Sequence, residues 1–292
     1  MMTVAVGAAL ASAAGFAYST SAQHHAAESA PATARGSVGL LRHLLTTPLW
    51  LFAALVGIFS FSMHALALHE GAIAVVQPIV VSGVVLAVPA KAAFNRQRPS
   101  RAELSAVSLT AVGLAVFLVV ARPSHGGVPD PTTAVVLAAV GFVLAALLIY
   151  CATQVVHATR RATLLGCAGG VLFGLVAGLL KMTTGELTDQ GMAGALFSWT
   201  PWVLIVAGLG GVTLNQRAYQ MAPLSASMPA LNAVNVVVAL GFGLAVFGET
   251  PAYDPASLFV ELAALVAIIA GLRLLAHTED EAVASAESPL AA

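Results

Sequence analysis

HALALHEGAIAVVQP, residues 64–78, recurs in outline as NQRAYQMAPLSASMP, residues 215–229. The two stretches are offset by 151 positions (229 − 78 = 151), and the same offset places Gly57 on Gly208 and Ala67 on Ala218. Further along, AELSAVSLTAVGL around Glu103 matches VELAALVAIIAGL around Glu261, with Gly113 on Gly271 at an offset of 158 (271 − 113 = 158). The second copy therefore carries seven extra residues (158 − 151 = 7), which fit in the loop GETPAYDP. Both copies lie in strongly apolar sequence, and a duplicated membrane unit is a common architecture of secondary transporters.

Composition agrees. The chain is 59% hydrophobic and 9% charged, against roughly 25% charge in soluble domains. A net charge of −1 argues against nucleic-acid binding. Apolar runs of about 20 residues span the roughly 30 Å hydrocarbon core. Nine such runs are predicted: 3–21, 48–69, 71–94, 103–121, 133–156, 163–182, 199–217, 222–247 and 256–276. The first competes with a signal peptide, but no Lys or Arg precedes its apolar run, as secretory signals require. It also aligns with the sixth, with Gly7, Ala11, Gly15 and Ser19 falling on Gly166, Gly170, Gly174 and Gly178. A retained helix is the expectation. Cys151 and Cys167 each fall just inside a span and read as free thiols.

Positive charge sets orientation. With nine spans, ten cations share the side of the C-terminus, from Arg35 and Arg42 through the basic loop at 91–101 to Arg160, Arg161, Arg217 and Arg273; only Arg122 and Lys181 lie opposite. This predicts a cell-membrane, multi-pass protein with the N-terminus outside and the C-terminus cytoplasmic. The predicted fold is all-α: one transmembrane domain, 1–276, in two inverted four-helix repeats, 3–121 and 163–276, joined by a linking helix, 133–156. Five crossings separate the copies, and an odd number inverts them. Residues 22–47 read as a loop with a short interfacial helix at LLRHLL, and the acidic tail 277–292 as disordered.

The glycines at 166, 170, 174 and 178 share one helix face and predict close helix packing, with sliding along that face as a second use. Pro78 and Pro229 occupy equivalent positions, and Pro89 lies deeper in the third span; each frees a carbonyl that could bind cargo or only permit a kink. Span eight is polar near its centre, with Ser225, Ser227, Asn232 and Asn235; the two asparagines share a face and are candidates to line a path, as is Gln77 beside Pro78. Lys181 could attract an anionic group or merely snorkel. His64 could contact cargo or be a structural histidine. Glu261 inside span nine is a candidate for proton coupling, and Glu103 a plain helix-N-terminal carboxylate. Glu70 and Glu249 read as ordinary interfacial residues. No phosphate loop, HExxH or paired-cysteine metal site occurs, so neither enzyme activity nor a cofactor is expected.

The motifs ALALHEGAIAVVQP, AGGVLFGLVAGLLK and LNQRAYQMAPLSASMPALNAVNVVVALGFGLAVFGE resemble the drug/metabolite transporter superfamily with EamA-like repeats, over nearly all of 3–276. The first half departs from the pattern, carrying NRQR where the second has FGET. The resemblance implies an inverted-repeat bundle that exports or exchanges small metabolites without ATP. From the polarity of residues within the spans, the expectation is that the repeats rock around a midplane cavity, with Gln77, Asn232 and Asn235 contacting the cargo and Lys181 and His64 guarding the outer vestibule. The nine spans are also similar to NIPA-type magnesium transporters, although Mg²⁺ favours more carboxylates than these spans hold. A non-transporting membrane scaffold is the alternative of another class. The partners expected are a small-molecule substrate and the lipid bilayer, with a homo-oligomer compatible.

Overall fold

The computed structural model describes residues 2–28, 45–83, 85–86, 100–120, 126–222, 224–250 and 255–287. Among these, all regular structure is helical, in nine helices: α1 (Met2–Glu28), α2 (Pro48–Glu70), α3 (Ile73–Ser82), α4 (Arg101–Val120), α5 (Pro131–Gln154), α6 (Ala158–Phe197), α7 (Thr200–Met221), α8 (Leu224–Phe247) and α9 (Pro255–Glu287). Six of them, α1, α2, α5, α6, α8 and α9, are long and apolar enough to cross a membrane. Large apolar side chains point away from the bundle, such as Ile58, Val143 and Phe259, while the buried core mixes many alanines with larger groups such as Leu68, Ile79, Leu175 and Phe242. That apolar outer surface suits a polytopic membrane protein, because lipid imposes no cost on exposed Leu or Phe.

Local chemistry sets the helix starts. Pro48, Pro131 and Pro201 occupy first-turn positions, where a missing N–H costs nothing. Ser100 and Glu103 form a reciprocal capping box on α4: the Glu103 carboxylate accepts from Ser100 N at 2.6 Å, and Ser100 Oγ accepts from Glu103 N at 3.1 Å. Glu103 is thus the helix-N-terminal carboxylate its position predicted. Asp130 caps α5, accepting from Thr132 N at 3.0 Å and Thr133 Oγ1 at 2.6 Å. The Thr133 hydroxyl, then the Thr132 amide, hold its carboxyl below the usual carboxylate range. The cap is therefore in place above the unfolded-state pKa and is lost as pH falls through the depressed folded value. Asp130→Ala is expected to speed amide hydrogen exchange at Thr132–Ala134 near neutrality, and acidification of the wild type to do the same.

Several boundaries differ from the sequence expectation. α1 runs to Glu28 and takes in His24 and His25, where the sequence predicts a loop. The third span is helical over Ile73–Ser82, and Pro89 with the 91–98 basic loop lies outside the described residues, as do LLRHLL from 40 to 44 and Arg122. α6 continues past Lys181 to Phe197, with a break at Gly191 (φ +72), a left-handed conformation that suits glycine. The first part of the acidic tail expected to be disordered is helical, since α9 runs to Glu287; its alanines and glutamates are good helix formers that extend the ladder begun in the apolar part. Residues 288–292 lie outside the described set.

α6 is the central element, packed on α5, α7 and α8, while α1 packs on α2 and α3. The glycine ladder faces α8 throughout. Gly166 lies on Ser227, Gly170 on Leu231 and Val234, Gly174 on Val238, and Gly178 on the Phe242 ring. The stripe matched to it in α1 faces elsewhere: Gly15 abuts Ser60 of α2, and Ser19 Oγ donates to the Ala53 carbonyl at 2.7 Å. Ala5 and Ala13, two positions earlier, meet Gly71 and Gly83 at the two ends of α3. The residue-level match of the two stripes is therefore displaced by two, enough to turn a helical position to another neighbour.

α4 and α9 pack antiparallel with reciprocal contacts. A Cβ added at Gly113 would fall 3.1 Å from the Ala264 carbonyl oxygen and 3.2 Å from Ile268 Cγ1; one added at Gly271 would fall 2.9 Å from the Ala106 carbonyl oxygen and 2.9 Å from Thr110 N. Subtracting 158 from 264, 268 and 271 gives 106, 110 and 113. Each glycine thus meets the counterparts of the residues that surround the other, the pattern of an isologous two-fold contact.

Candidate functional site

Glu249 organises one end of the bundle. α8 ends at Phe247, and Gly248 after it has a φ of +64, a left-handed conformation suited to glycine. The chain turns back there, so that Glu249 N donates to the Gly243 carbonyl at 3.1 Å. The Glu249 carboxylate then reaches α3, where Oε2 accepts from Ile73 N at 2.8 Å and satisfies the first free donor of that helix. Its Oε1 pairs with Lys181 Nζ of α6 at 2.5 Å. Lys181 also donates to the Gly71 carbonyl at 2.8 Å and sits 4.8 Å from the centre of the Phe247 ring. The pair is deeply enclosed, with side-chain exposures of 13% for Lys181 and 1% for Glu249.

The interfacial reading of Glu249 is thereby corrected: the carboxylate is buried among three helices. Lys181 is placed at the bundle end, as its position implied, but as an ion-pair partner. The segment before α5 closes the same end, with Gly127 N donating to the Phe247 carbonyl at 2.7 Å and Asp130 N to the Val246 carbonyl at 3.0 Å.

A cavity of about 440 Å³ opens above this pair. Lys181, Gly71 and Phe247 line it together with Glu70, Glu186, Asp189 and Trp199. Glu186 is held by Thr200, whose Oγ1 donates to it at 2.5 Å. His64, expected to share the vestibule with Lys181, does not line the cavity.

The remaining candidates are dispersed through the interior. Gln77 and Pro78 are buried in α3, where Ser82 Oγ donates to the Pro78 carbonyl at 2.5 Å. Near Pro229, Thr163 Oγ1 reaches from α6 to the Ala226 carbonyl at 2.8 Å. Asn232 is buried, and the backbone of Asn235 lies against Gly170 and Gly174. Glu261 is buried in α9. Several buried polar atoms find no hydrogen-bond partner among the described residues, including Ser12 Oγ, His64 Nε2, Asn215 Oδ1, Ser227 Oγ, Asn235 Oδ1 and Glu261 Oε1. Such groups are expensive in a protein interior unless something else meets them. Asn215 is not among the sequence-predicted candidates, although the offset of 151 places it on His64 (215 − 64 = 151). Nor is Glu249, its one signal being the GE that closes the matched motif.

No protein-family model matches the chain, and no solved structure does. The chain is similar to a protein of uncharacterized function from Corynebacterium glutamicum, 29% identical over 244 residues that cover 82% of this chain and 83% of the relative.

Proposed function

We propose that the chain is a secondary transporter of the drug/metabolite type, moving a small polar metabolite across the cell membrane by alternating access without ATP. The observation that carries this is the reciprocal α4–α9 contact. A two-fold axis relating antiparallel neighbours runs perpendicular to them, and for membrane-spanning helices it lies in the membrane plane. Inverted-topology repeats of transporters are related in this way. The corresponding packing of α1 on α2 and α3, and of α6 on α7 and α8, fits two such repeats with α5 between them.

In the orientation favoured by the positive charges, the Lys181–Glu249 pair closes the outer face beneath the cavity. Gln77, Asn232 and Asn235 then offer neutral hydrogen-bonding groups to cargo deeper in the bundle. Because Lys181 is already neutralised, it no longer argues for an anionic cargo. Glu261 keeps its proposed role in proton coupling, on the strength of its unpartnered carboxylate oxygen.

The test combines ligand-dependent thermal stabilisation with counterflow in proteoliposomes, using the common amino acids, other small metabolites and Mg²⁺. One metabolite class is expected to raise Tm by mass action and to exchange across the vesicle membrane, with both effects lost in Asn232→Ala. Stabilisation by Mg²⁺ alone would replace this reading with the magnesium one. No stabilisation and no exchange by any compound would favour a scaffold.

A further inference from the structure

Four of the unpartnered polar groups fall into two pairs, one in each half of the chain, with only His64 and Asn215 equivalent at the offset of 151. In the first hairpin, α1 and α2 run antiparallel, and contacts fix their register: Gly15 lies on Ser60, Gly57 on Ser19, and Gly71 on Ala5. The paired numbers sum to 75 or 76, so His64 stands opposite residues 11 and 12. Ser12 is fully enclosed and His64 is 8% exposed, and each presents an atom without a partner, Ser12 Oγ and His64 Nε2.

In the second hairpin, a Cβ added at Gly169 of α6 would fall 3.6 Å from the Gly211 carbonyl oxygen and 3.9 Å from Leu214 Cβ of α7. Asn215, the counterpart of His64, follows directly. Three residues before Gly169, an added Cβ at Gly166 would fall 2.7 Å from the carbonyl oxygen of the fully buried Ser227 of α8. Asn215 and Ser227 thus both lie near the 166–169 turn of α6, and Asn215 Oδ1 and Ser227 Oγ again have no partner.

We propose that Ser12 with His64, and Asn215 with Ser227, form twin hydrogen-bonding stations for an uncharged polar group of the cargo, such as a hydroxyl, amide or carbonyl, one station reached from each side of the membrane. The chemistry follows from the groups present. Hydroxyls donate and accept, the asparagine oxygen accepts, and an imidazole nitrogen does either. The placement follows from inversion: His64 lies six residues before the end of α2 at Glu70 and Asn215 six before the end of α7 at Met221, and equivalent positions in inverted copies face opposite membrane surfaces. The inference rests on the transport reading and deepens it.

The experiment uses the full chain with Cys151 and Cys167 replaced by alanine, leaving no native thiol. His64→Cys and Asn215→Cys are introduced separately and exposed to a membrane-impermeant methanethiosulfonate reagent in vesicles of either orientation. Ile58→Cys, on the lipid-facing side of α2, serves as the unreactive control. Even a station open in about 1–10% of molecules is labelled in time. The expected result is labelling of His64→Cys from one side only and of Asn215→Cys from the other side only. Reaction of both from one side, or of neither beyond the control, would overturn the stations. Counterflow by the cysteine-free parent separates the two ideas. Flux without labelling rejects the stations and keeps the transporter, whereas opposite-sided labelling without flux for any compound rejects the transport reading and the stations' role toward cargo with it, leaving two positions open to opposite sides.

Discussion

Glu249→Ala is expected to lower Tm more than any other single carboxylate substitution in the chain. The change removes the counter-charge of Lys181 and the acceptor for the first N–H of α3 at once, and both are enclosed. Stripping one partner from a buried ion pair costs about 3–5 kcal/mol, because the other charge stays behind in a poor solvent. Glu249→Gln is expected to fall between, since its side-chain oxygen still accepts from Ile73 N while the charge is lost.

The double variant Lys181→Met/Glu249→Leu separates charge from architecture. Replacing both members of a buried pair with apolar groups is often close to neutral, so much of the lost stability returns, except what belongs to the α3 N-terminus. The measurement is thermal unfolding of each variant in one detergent. A Glu249→Ala protein as stable as the wild type would show that the pair closes nothing.

Helix positions were the most legible part of the chain, because a bilayer leaves its length in the sequence as runs of apolar residues. The offset of 158 was also informative, since Gly113 and Gly271 had to be small where α4 and α9 cross. The offset of 159 between α1 and α6 was misleading for a physical reason: in an alanine-rich helix many positions are small, so several registers look alike, and only the neighbours Ser60 and Gly71 decide among them. Glu249 was illegible because its importance lies in a turn. In linear order it follows an apolar run, where an interfacial carboxylate is the ordinary expectation. Only the left-handed Gly248 and the 68-residue separation from Lys181 bring it under α3. Lys181 and His64 were expected together on the strength of depth alone, yet depth does not say which face of a helix a residue occupies.

Gly170→Ala is the second large effect, and another glycine of α6 gives it an internal control. A methyl group at Gly170 would fall 2.5 Å from the Leu231 carbonyl oxygen, 3.0 Å from Val234 Cβ and 3.2 Å from Asn235 N. Two of these three atoms are backbone, so no side-chain rotation relieves the clash, and α6 and α8 must move apart. Overpacking of this kind costs about 1–3 kcal/mol. Gly185, on the same helix, has nothing within 4 Å of its added Cβ. There alanine should gain up to about 1 kcal/mol from helix propensity. The two substitutions are chemically identical and are expected to move Tm in opposite directions. Their comparison isolates close approach from every general property of glycine. If Gly170→Ala matched Gly185→Ala in Tm, the α6–α8 contact would not be tight. If Gly170→Ala lost stability but kept full counterflow, the ladder would serve packing alone and the sliding use of that face would be excluded.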